Sequence, residues 1–338
     1  MPMSSVIYRV SDLVYAYDSG PRVLEVPELE ITRGTVTGLV GPNGSGKTTL
    51  LKLLAFVQKP VAGDIRFKGR PASTFSEHVR FAVTFLPQTP YLLKRSVYGN
   101  IAYGLRLRGV TEDMDRRIES ALALVGLPFN VCRRRPDSLS GGQAQRVALA
   151  ARLALEPEVL LLDEPTASVD VESARLIQEA VLAARQVHGT TVVVAGHDLQ
   201  WMHAVSDRML QMYNGRVWEA GNKNVVPGPW HSAGEGRWEK HLSDGQRIHV
   251  PVPPVADASA LIEFGLAKTA TAGAGLPTLS GKVSHLVLES KRQTVAVTVT
   301  MDRLTLTVRV ADHEVEQHGL LPGKRIPLFY NPDTIVFL

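Results

Sequence analysis

The stretch Gly41-Pro42-Asn43-Gly44-Ser45-Gly46-Lys47-Thr48 decides the fold. It fits the pattern G-x-x-x-x-G-K-[ST], and it lies between the apolar run Val36–Val40 and the helical pattern Thr49–Val57. Glycines let the backbone curl so that its N–H groups point at phosphate oxygens, and the following helix adds its positive N-terminal end. Lys47 can then reach the β- and γ-phosphates, while the Thr48 hydroxyl can ligate Mg²⁺. The pattern predicts that the chain binds a purine nucleoside triphosphate.

A pair of carboxylates follows a second apolar run. Val159–Leu162 has the continuous apolar character of a buried parallel strand, and Asp163-Glu164 comes directly after it. Because ligands of open α/β sheets bind at the carboxyl ends of the strands, Asp163 is predicted to be a Mg²⁺ ligand beside the phosphate loop. Glu164 is predicted to polarise a water against the γ-phosphate. The alternative is a solvated acidic pair at a strand end, which the nearby phosphate loop makes the weaker interpretation.

The first two thirds of the chain alternate short β-branched runs with longer helical patterns. Thr191–Ala195 is a third buried strand, and three further helices are expected at Thr111–Val125, Gln143–Leu155 and Glu172–Val187. This alternation predicts an α/β fold with a largely parallel sheet. Beyond Leu279 the pattern is purely that of strands. Two alternating segments, 294–300 and 304–310, read as a hairpin that turns at Met301-Asp302-Arg303.

Composition narrows the class of protein. The chain has 338 residues, 44% of them hydrophobic, which is enough for two packed domains. The formal net charge of +4 is small and dispersed, so a nucleic-acid partner is not expected, and Arg133-Arg134-Arg135 is typical of a solvated loop. Cys132 is the single cysteine, which excludes an internal disulfide and favours a reducing, cytoplasmic setting. No run approaches about 18 apolar residues, so no membrane-spanning helix is predicted.

The string Leu139-Ser140-Gly141-Gly142-Gln143 identifies the family. A hydroxyl and two glycines open the predicted helix Gln143–Leu155, and this is an arrangement that binds anions. The alternative is an ordinary N-capped helix without a ligand. Taken with the phosphate loop and the carboxylate pair, the string resembles the signature of the ABC ATPases, and the resemblance covers residues 1 to about 221. It implies a P-loop NTPase cassette that hydrolyses ATP with Mg²⁺.

The resemblance also implies roles for single residues. Tyr17 matches the aromatic residue that stacks on adenine, with Tyr15 as the alternative. Gln88 matches the glutamine that touches Mg²⁺ and the attacking water, His197 matches the histidine at the γ-phosphate, and Asp170 lies in the loop that crosses the dimer interface. The predicted catalytic residues are Glu164, His197 and Gln88. The predicted metal ligands are Thr48, Gln88 and Asp163. The predicted nucleotide-binding residues are Tyr17, Gly41, Pro42, Asn43, Gly44, Ser45, Gly46, Lys47, Thr48, Thr49, Ser140, Gly141, Gly142, Gln143 and Asp170.

Partners are implied by the same resemblance. It implies a head-to-tail homodimer in which each ATP lies between the phosphate loop of one copy and the signature of the other. A helical subdomain at about 89–140 is expected to receive a loop of a membrane-spanning permease subunit. The chain would then lie peripherally on the cytoplasmic face of the bacterial inner membrane, and a periplasmic solute-binding protein would select the cargo.

The C-terminal part resembles the small oligonucleotide-fold-like (TOBE/Mop-like) domain of importer ATPases for molybdate and tungstate. The resemblance rests on Gly281-Lys282-Val283, Gly319 and Gly323-Lys324. In the cassette, residues 54–60 and 96–100 also resemble the ATPases of tungstate importers. The expected domains are a cassette at 1–221, an irregular linker at 222–260 and the β domain at 261–338.

One departure concerns anion binding by this β domain. Molybdate-binding versions carry Ser-Ala-Arg-Asn where this chain has Ala274-Gly275-Leu276-Pro277, so the resemblance does not extend to oxyanion sensing. The expected function is an importer ATPase for tungstate or molybdate. The alternatives are an importer of another solute, such as sulfate or a sugar, and a non-transport ABC ATPase that acts as an ATP-gated regulatory module.

Overall fold

The computed structural model describes residues 5–18, 20–74, 76–234, 236–267, 276–289 and 294–338. The chain divides into two compact units, Met1–Glu219 and Ala220–Leu338. Of the stretch Ala274-Gly275-Leu276-Pro277, which departs from the molybdate-binding pattern, Ala274 and Gly275 lie outside the described residues. Within the described residues, no helix is long and apolar enough to cross a membrane.

The first unit contains ten strands and seven helices among its described residues. The strands are β1 (Val6–Ala16), β2 (Arg22–Thr32), β3 (Val36–Val40), β4 (Ala62–Phe67), β5 (Arg70–Ala72), β6 (Val83–Leu86), β7 (Val159–Asp163), β8 (Thr191–Gly196), β9 (Arg208–Tyr213) and β10 (Arg216–Glu219). The helices are α1 (Lys47–Leu54), α2 (Glu77–Arg80), α3 (Val97–Leu107), α4 (Met114–Leu124), α5 (Gly141–Leu153), α6 (Val171–His188) and α7 (Leu199–Val205), with 3₁₀ turns at Phe129–Arg133 and Pro136–Ser138.

The central sheet has the strand order β10-β9-β3-β8-β7-β6. All of its pairs are parallel except β9 with β10. Every residue of β3, β7 and β8 is buried, as their continuous apolar runs require. The predicted α/β fold with a largely parallel sheet is confirmed. Since the carboxyl ends of parallel strands meet at one edge, the residues that come after β3, β6, β7 and β8 are brought together there.

A second sheet was not predicted. Strands β2, β1, β4 and β5 pair in that order, and all of these pairs are antiparallel. The apolar side chains of β1 and β2 pack with α1 and with the inner strands of the central sheet in one hydrophobic core. This sheet carries the N-terminal segment to the edge where the phosphate loop lies.

The helix boundaries differ from the predicted ones for a local reason. Helix α5 begins at Gly141 rather than Gln143, because Ser140 is its N-cap and accepts a hydrogen bond from Gln143 N at 3.2 Å. Helix α1 begins at Lys47 because Gly46, with φ of 103°, takes the left-handed conformation that ends the loop. Between β6 and α5 the chain forms α3, α4 and the two 3₁₀ turns.

The second unit is rich in strands. They are β11 (Lys223–Val226), β12 (His231–Gly234), β13 (Arg237–His241), β14 (Arg247–Val250), β15 (Ala260–Leu266), β16 (Thr278–Glu289), β17 (Thr294–Met301), β18 (Leu304–Ala311), β19 (Arg325–Tyr330) and β20 (Val336–Phe337), with one helix, α8 (Asp312–Gln317), and a 3₁₀ turn at Pro332–Thr334. The larger sheet runs β11-β15-β19-β16-β17-β18, and β20 pairs with β15. It forms a near-barrel, which agrees with the predicted OB-like domain, and the predicted hairpin is the pair β17–β18.

The sequence led us to expect an irregular linker at 222–260, but this stretch forms regular strands. It holds β11 and a separate three-stranded sheet, β12-β13-β14. These strands have only four or five residues, and Pro227, Pro229, Pro251 and Pro253 stand between them, so no run is long enough to show an alternating pattern. Trp230 lies within this stretch and is fully buried in the hydrophobic core of the second unit.

Trp230→Ala is expected to lower the free energy of unfolding of the second unit by about 3–5 kcal/mol, because a buried indole is deleted from a packed core. Its Nε1 also donates to Ala258 O at 2.7 Å. Trp230→Phe keeps most of the ring but leaves that carbonyl unpaired, so it should cost less, about 1–3 kcal/mol. Urea unfolding of both variants measures this order. Equal costs would contradict the view that packing dominates.

Candidate active site

The phosphate loop joins β3 to α1 at the carboxyl edge of the central sheet. Gly44 and Gly46 have φ of 79° and 103°, a left-handed backbone that glycine adopts without strain. A Cβ on Gly41 would stand 2.1 Å from Met212 O, so the loop can pass β9 only at a glycine. The residue types in the motif are therefore dictated by backbone shape as well as by ligand chemistry.

Lys47 is buried and folds back over its own loop. Its Nζ donates to Gly41 O at 2.8 Å and to Pro42 O at 3.0 Å, and it lies 4.0 Å from Glu164 Oε1. Burial lowers the pKa of Lys47, while the carboxylates of Glu164 and Asp163 oppose this shift. The loop thus holds a preformed ammonium group with weak carbonyl partners, which the oxygens of an anionic ligand can replace.

Asp163 ends β7 and is almost fully buried. Thr48 Oγ1 donates to Asp163 Oδ2 at 2.8 Å, whereas Asp163 Oδ1 is buried without a hydrogen-bond partner among the described residues. Burial raises the pKa of Asp163, and the hydrogen bond from Thr48 opposes this most strongly. A buried carboxylate oxygen in need of a partner, beside a hydroxyl oxygen, is a donor set that fits Mg²⁺.

Glu164 directly follows Asp163 but turns into a different environment. Its φ is 45°, a left-handed conformation that is rare for a residue with a side chain, and its N–H donates to Ala195 O at 2.9 Å. Glu164 Oε2 accepts from Gln88 Nε2 at 3.4 Å and lies 3.2 Å from His197 Nδ1. The segments that follow β6, β7 and β8 therefore converge on one carboxylate.

Tyr17 closes the other end of the site. Its hydroxyl lies 3.1 Å from Thr49 Oγ1, and its ring is 45% exposed. Tyr15 is only 8% exposed and meets Tyr17 edge-on with ring centroids 5.0 Å apart. Of the two rings, Tyr17 has the accessible face, and Tyr15 packs against its edge.

Most of these groups line one cleft of about 650 Å³, whereas Asp163 and Tyr15 do not line it. Its lining residues are Tyr17, Val23, Asn43, Gly44, Gly46, Lys47, Thr48, Thr49, Gln88, Glu164, Ala167, Ser168 and His197. Gly41, Pro42 and Ser45 belong to the loop but do not line the cleft. Val23, on β2, was missed because the antiparallel sheet was not predicted. Ala167 and Ser168, which precede Asp170 in the chain, also line the cleft, and nothing in the sequence marked them.

The signature lies outside this cleft. Residues 139–143 do not line it, and Ser140 and Gly141 are exposed at the start of α5. Gly142 is buried, and a Cβ there would stand 2.5 Å from Ser173 Oγ at the start of α6. Asp170 caps α6 by accepting from Ser173 N at 2.7 Å. The predicted site residues thus form two groups, one around the phosphate loop and one at the exposed N-terminus of α5.

A glycine-rich phosphate loop, a strand-end carboxylate pair and a capped signature helix on a parallel sheet define a P-loop NTPase of the ABC cassette type. The family model described as ABC transporter matches residues 24–167. The chain is 37% identical over 212 residues to the "Tungstate uptake system ATP-binding protein TupC" of Peptoclostridium acidaminophilum, covering 62% of this chain and 96% of that protein. The chain belongs to the ABC transporter family, and it is an ATPase.

Other relatives carry different cargo names. The "Phosphate import ATP-binding protein PstB 2" of Natronomonas pharaonis is 39% identical over 226 residues, covering 63% of this chain and 78% of that protein. The "Fe(3+) ions import ATP-binding protein FbpC" of Vibrio cholerae is 35% identical over 230 residues, covering 66% of this chain and 65% of that protein. These relatives are all named as uptake or import proteins, but each is named for a different solute.

Two solved structures share the fold. One is cbiO1 from Clostridium perfringens, described as part of the ABC transporter complex cbiONQ, with 32% identity and a TM-score of 0.58 over 64% of this chain and 88% of that chain. The other is the ATP-binding cassette MJ0796, a dimer in a post-hydrolysis state bound to ADP and Pi, with 25% identity and a TM-score of 0.58 over 63% of this chain and 98% of that chain.

Proposed function

We propose that the chain is the ATP-hydrolysing subunit of an ABC importer, that it works as a pair of identical copies, and that the cargo is tungstate or molybdate. The observation that carries this proposal is the division of the site. The cleft is lined by residues of the phosphate loop and by Glu164, while Ser140 and Gly141 face solvent elsewhere. An exposed helix start with a hydroxyl and two glycines can bind an anion that comes from outside the chain. A second copy supplies one, because its nucleotide is an anion.

Within the cleft, each group has a role that its contacts support. Tyr17 stacks on the base, and Lys47 exchanges its carbonyl partners for the β- and γ-phosphate oxygens. Glu164 is the general base for the attacking water, because its Oε2 is already oriented by Gln88 and His197. His197 also donates toward the γ-phosphate, where charge develops during transfer.

Thr48, Asp163 and Gln88 are the residues that would hold Mg²⁺. The unpartnered Asp163 Oδ1 and the Thr48 hydroxyl supply hard oxygen donors, and Gln88 can reach the same edge of the sheet. When bound, the ion neutralises charge on the β- and γ-phosphate oxygens. The chain's own residues orient the nucleotide and the water.

A groove beside α3 is the proposed docking site for a permease loop. It encloses about 320 Å³. Its lining residues are Thr84, Phe85, Tyr91, Leu92, Leu93, Asn100, Tyr103, Gly104, Ala151, Arg152 and Leu155. Tyr91 is 74% exposed at its rim, and Phe85 is three residues from Gln88 in the chain. A docked loop would therefore act on the segment that bears Gln88, on the cytoplasmic face of the membrane.

Tungstate or molybdate is favoured as cargo by the relative named for tungstate uptake, of which this chain spans almost the whole length. The cassette itself does not touch cargo, which a periplasmic solute-binding protein would select. The resemblance of the C-terminal unit to importer β domains points the same way, although Leu276-Pro277 depart from the molybdate-binding pattern.

The test is to purify the tagged chain from membranes of the cells in which it is naturally produced. We expect a multi-spanning permease subunit to co-purify, and Tyr91→Asp to reduce its recovery at least several-fold by placing a charge in the apolar groove. Val187→Asp, at an exposed site outside the groove, is the matched control. The complex, supplied with the solute-binding protein, should take up tungstate or molybdate in vesicles. Absence of any multi-spanning partner would contradict the importer, and uptake of phosphate alone would contradict the cargo.

A further inference from the structure

Arg134 departs from the solvated loop expected for the run Arg133-Arg134-Arg135. Its guanidinium donates through Nη1 to Gln143 Oε1 at 3.2 Å, through Nη2 to Ser138 O, and through Nε to Ser138 Oγ at 3.4 Å. One side chain thus contacts Gln143, the last residue of the signature, and Ser138, the residue directly before it. The two neighbouring arginines make weaker contacts or none. Arg135 Nε lies 4.0 Å from Asp137 Oδ2, a distant ion pair, and the side chain of Arg133 has no hydrogen bond or ion pair with any described residue.

The backbone of Arg134 is fixed as well. Its N–H donates to Val131 O at 2.9 Å, and its carbonyl accepts from Val97 N at 2.9 Å, at the start of α3. Ser96 caps that helix by accepting from Gly99 N at 3.1 Å. The guanidinium therefore projects from an anchored point, so its fork meets Gln143 with little loss of conformational entropy.

The contact adds a second donor that fixes which way the Gln143 amide faces. Its Oε1 already accepts from Ser140 N at 3.3 Å, and Arg134 Nη1 is a second donor to the same oxygen. A flipped amide would turn its NH₂ group toward two donors and leave all of them unpaired. With Oε1 held by Ser140 and Arg134, Nε2 is the end of the amide left to donate outward.

We propose that Arg134 is a positioning residue that presents the Gln143 amide as a donor to the phosphates of the nucleotide held by the partner copy. This inference rests on the proposed dimer. An amide N–H directed at an anion is favourable, whereas a flipped amide would direct a carbonyl oxygen at negative charge. Arg134 acts through Gln143 and contacts no group of its own cleft.

Mixed dimers test this proposal, because one copy can be limited to a single role. In each isolated heterodimer one copy carries Lys47→Met, so only the other copy has a working phosphate loop, and that loop faces the signature of the Lys47→Met copy. Arg134→Ala placed on the Lys47→Met copy is expected to reduce ATP turnover roughly three- to tenfold, since the lost bond is charged but exposed. Placed on the other copy, it should leave turnover unchanged.

This difference between the two placements is what a general loss of stability would not produce. Arg133→Ala and Arg135→Ala are the matched controls and should alter turnover less than twofold in either placement. Arg134→Lys keeps the charge but loses the fork, so it should restore only part of the activity. Nucleotide binding to the isolated Arg134→Ala chain, measured with a fluorescent ATP analogue, should equal that of the unaltered chain.

Equal defects in both placements, or an equal defect in Arg133→Ala, would overturn the positioning role. Two other results would contradict the proposed dimer rather than the role of Arg134. If heterodimers of unaltered and Lys47→Met chains do not form, or if altering the signature of either copy has the same effect, the shared site is wrong irrespective of Arg134.

Discussion

Glu164→Gln is expected to reduce ATP turnover by about 10²–10⁴-fold while leaving ATP bound, because only the proton acceptor is lost. The amide has the size of the carboxylate, so the unusual φ of 45° and the bond from its N–H to Ala195 O are retained. Lys47, Thr48 and the loop N–H groups are untouched. ATP should therefore remain in the site and hold two copies together, because the step that releases them is blocked.

Single-turnover hydrolysis and size-exclusion chromatography with ATP measure the two halves of this result. Glu179→Gln is the matched control, since it makes the same chemical change on the exposed face of α6, outside the cleft. It should leave turnover within twofold of the unaltered chain. Turnover of Glu164→Gln near the unaltered rate would remove Glu164 from the role of base and leave His197 as the candidate.

The parts of the site that could be predicted are those whose chemistry restricts residue type. A loop that cradles phosphates needs glycines at fixed spacing, as Gly41, Gly44 and Gly46 show. Strands buried on both faces need unbroken apolar runs, and β3, β7 and β8 have them. Because β6 and those strands are parallel, the residues at or just after their carboxyl ends meet at one edge of the sheet. The convergence of Gln88, Asp163, Glu164 and His197 is therefore a consequence of the local sequence and the parallel sheet together.

The features that could not be predicted depend on pairing between segments distant in sequence. Val23 lines the cleft only because β2 pairs with β1. Strands β12, β13 and β14 have four or five residues each, too few for their alternation to stand out from the surrounding prolines. The contacts of Arg134 were missed for a similar reason, because its neighbours in the sequence carry the same charge. Only the fold distinguishes the arginine that reaches Gln143 from the two that do not.

Two inactive variants, Lys47→Met and Ser140→Asp, are expected to restore activity to each other when mixed. Lys47→Met keeps the buried stem of the side chain but removes the ammonium that meets the phosphates. Asp is as good an N-cap as Ser, so Ser140→Asp should preserve α5, while its carboxylate repels the nucleotide of the partner copy. Each variant alone should lose ATP turnover by about a hundredfold, because like charge or a missing cation opposes closure at every site.

In a heterodimer of the two variants, both changes fall in one shared site, and the second site combines an unaltered phosphate loop with an unaltered signature. Random pairing makes half of the dimers mixed, so the mixture should recover up to about one quarter of the unaltered turnover. The chain that carries both changes provides the control, because its mixed dimer with the unaltered chain has one fault in each site and recovers nothing. If the signature instead served the nucleotide of its own chain, the mixture of single variants would stay inactive, while the mixed dimer of double variant and unaltered chain would keep one complete site. The two experiments have opposite outcomes under the two arrangements, so together they decide whether Ser140 acts on its own ATP or on that of its partner.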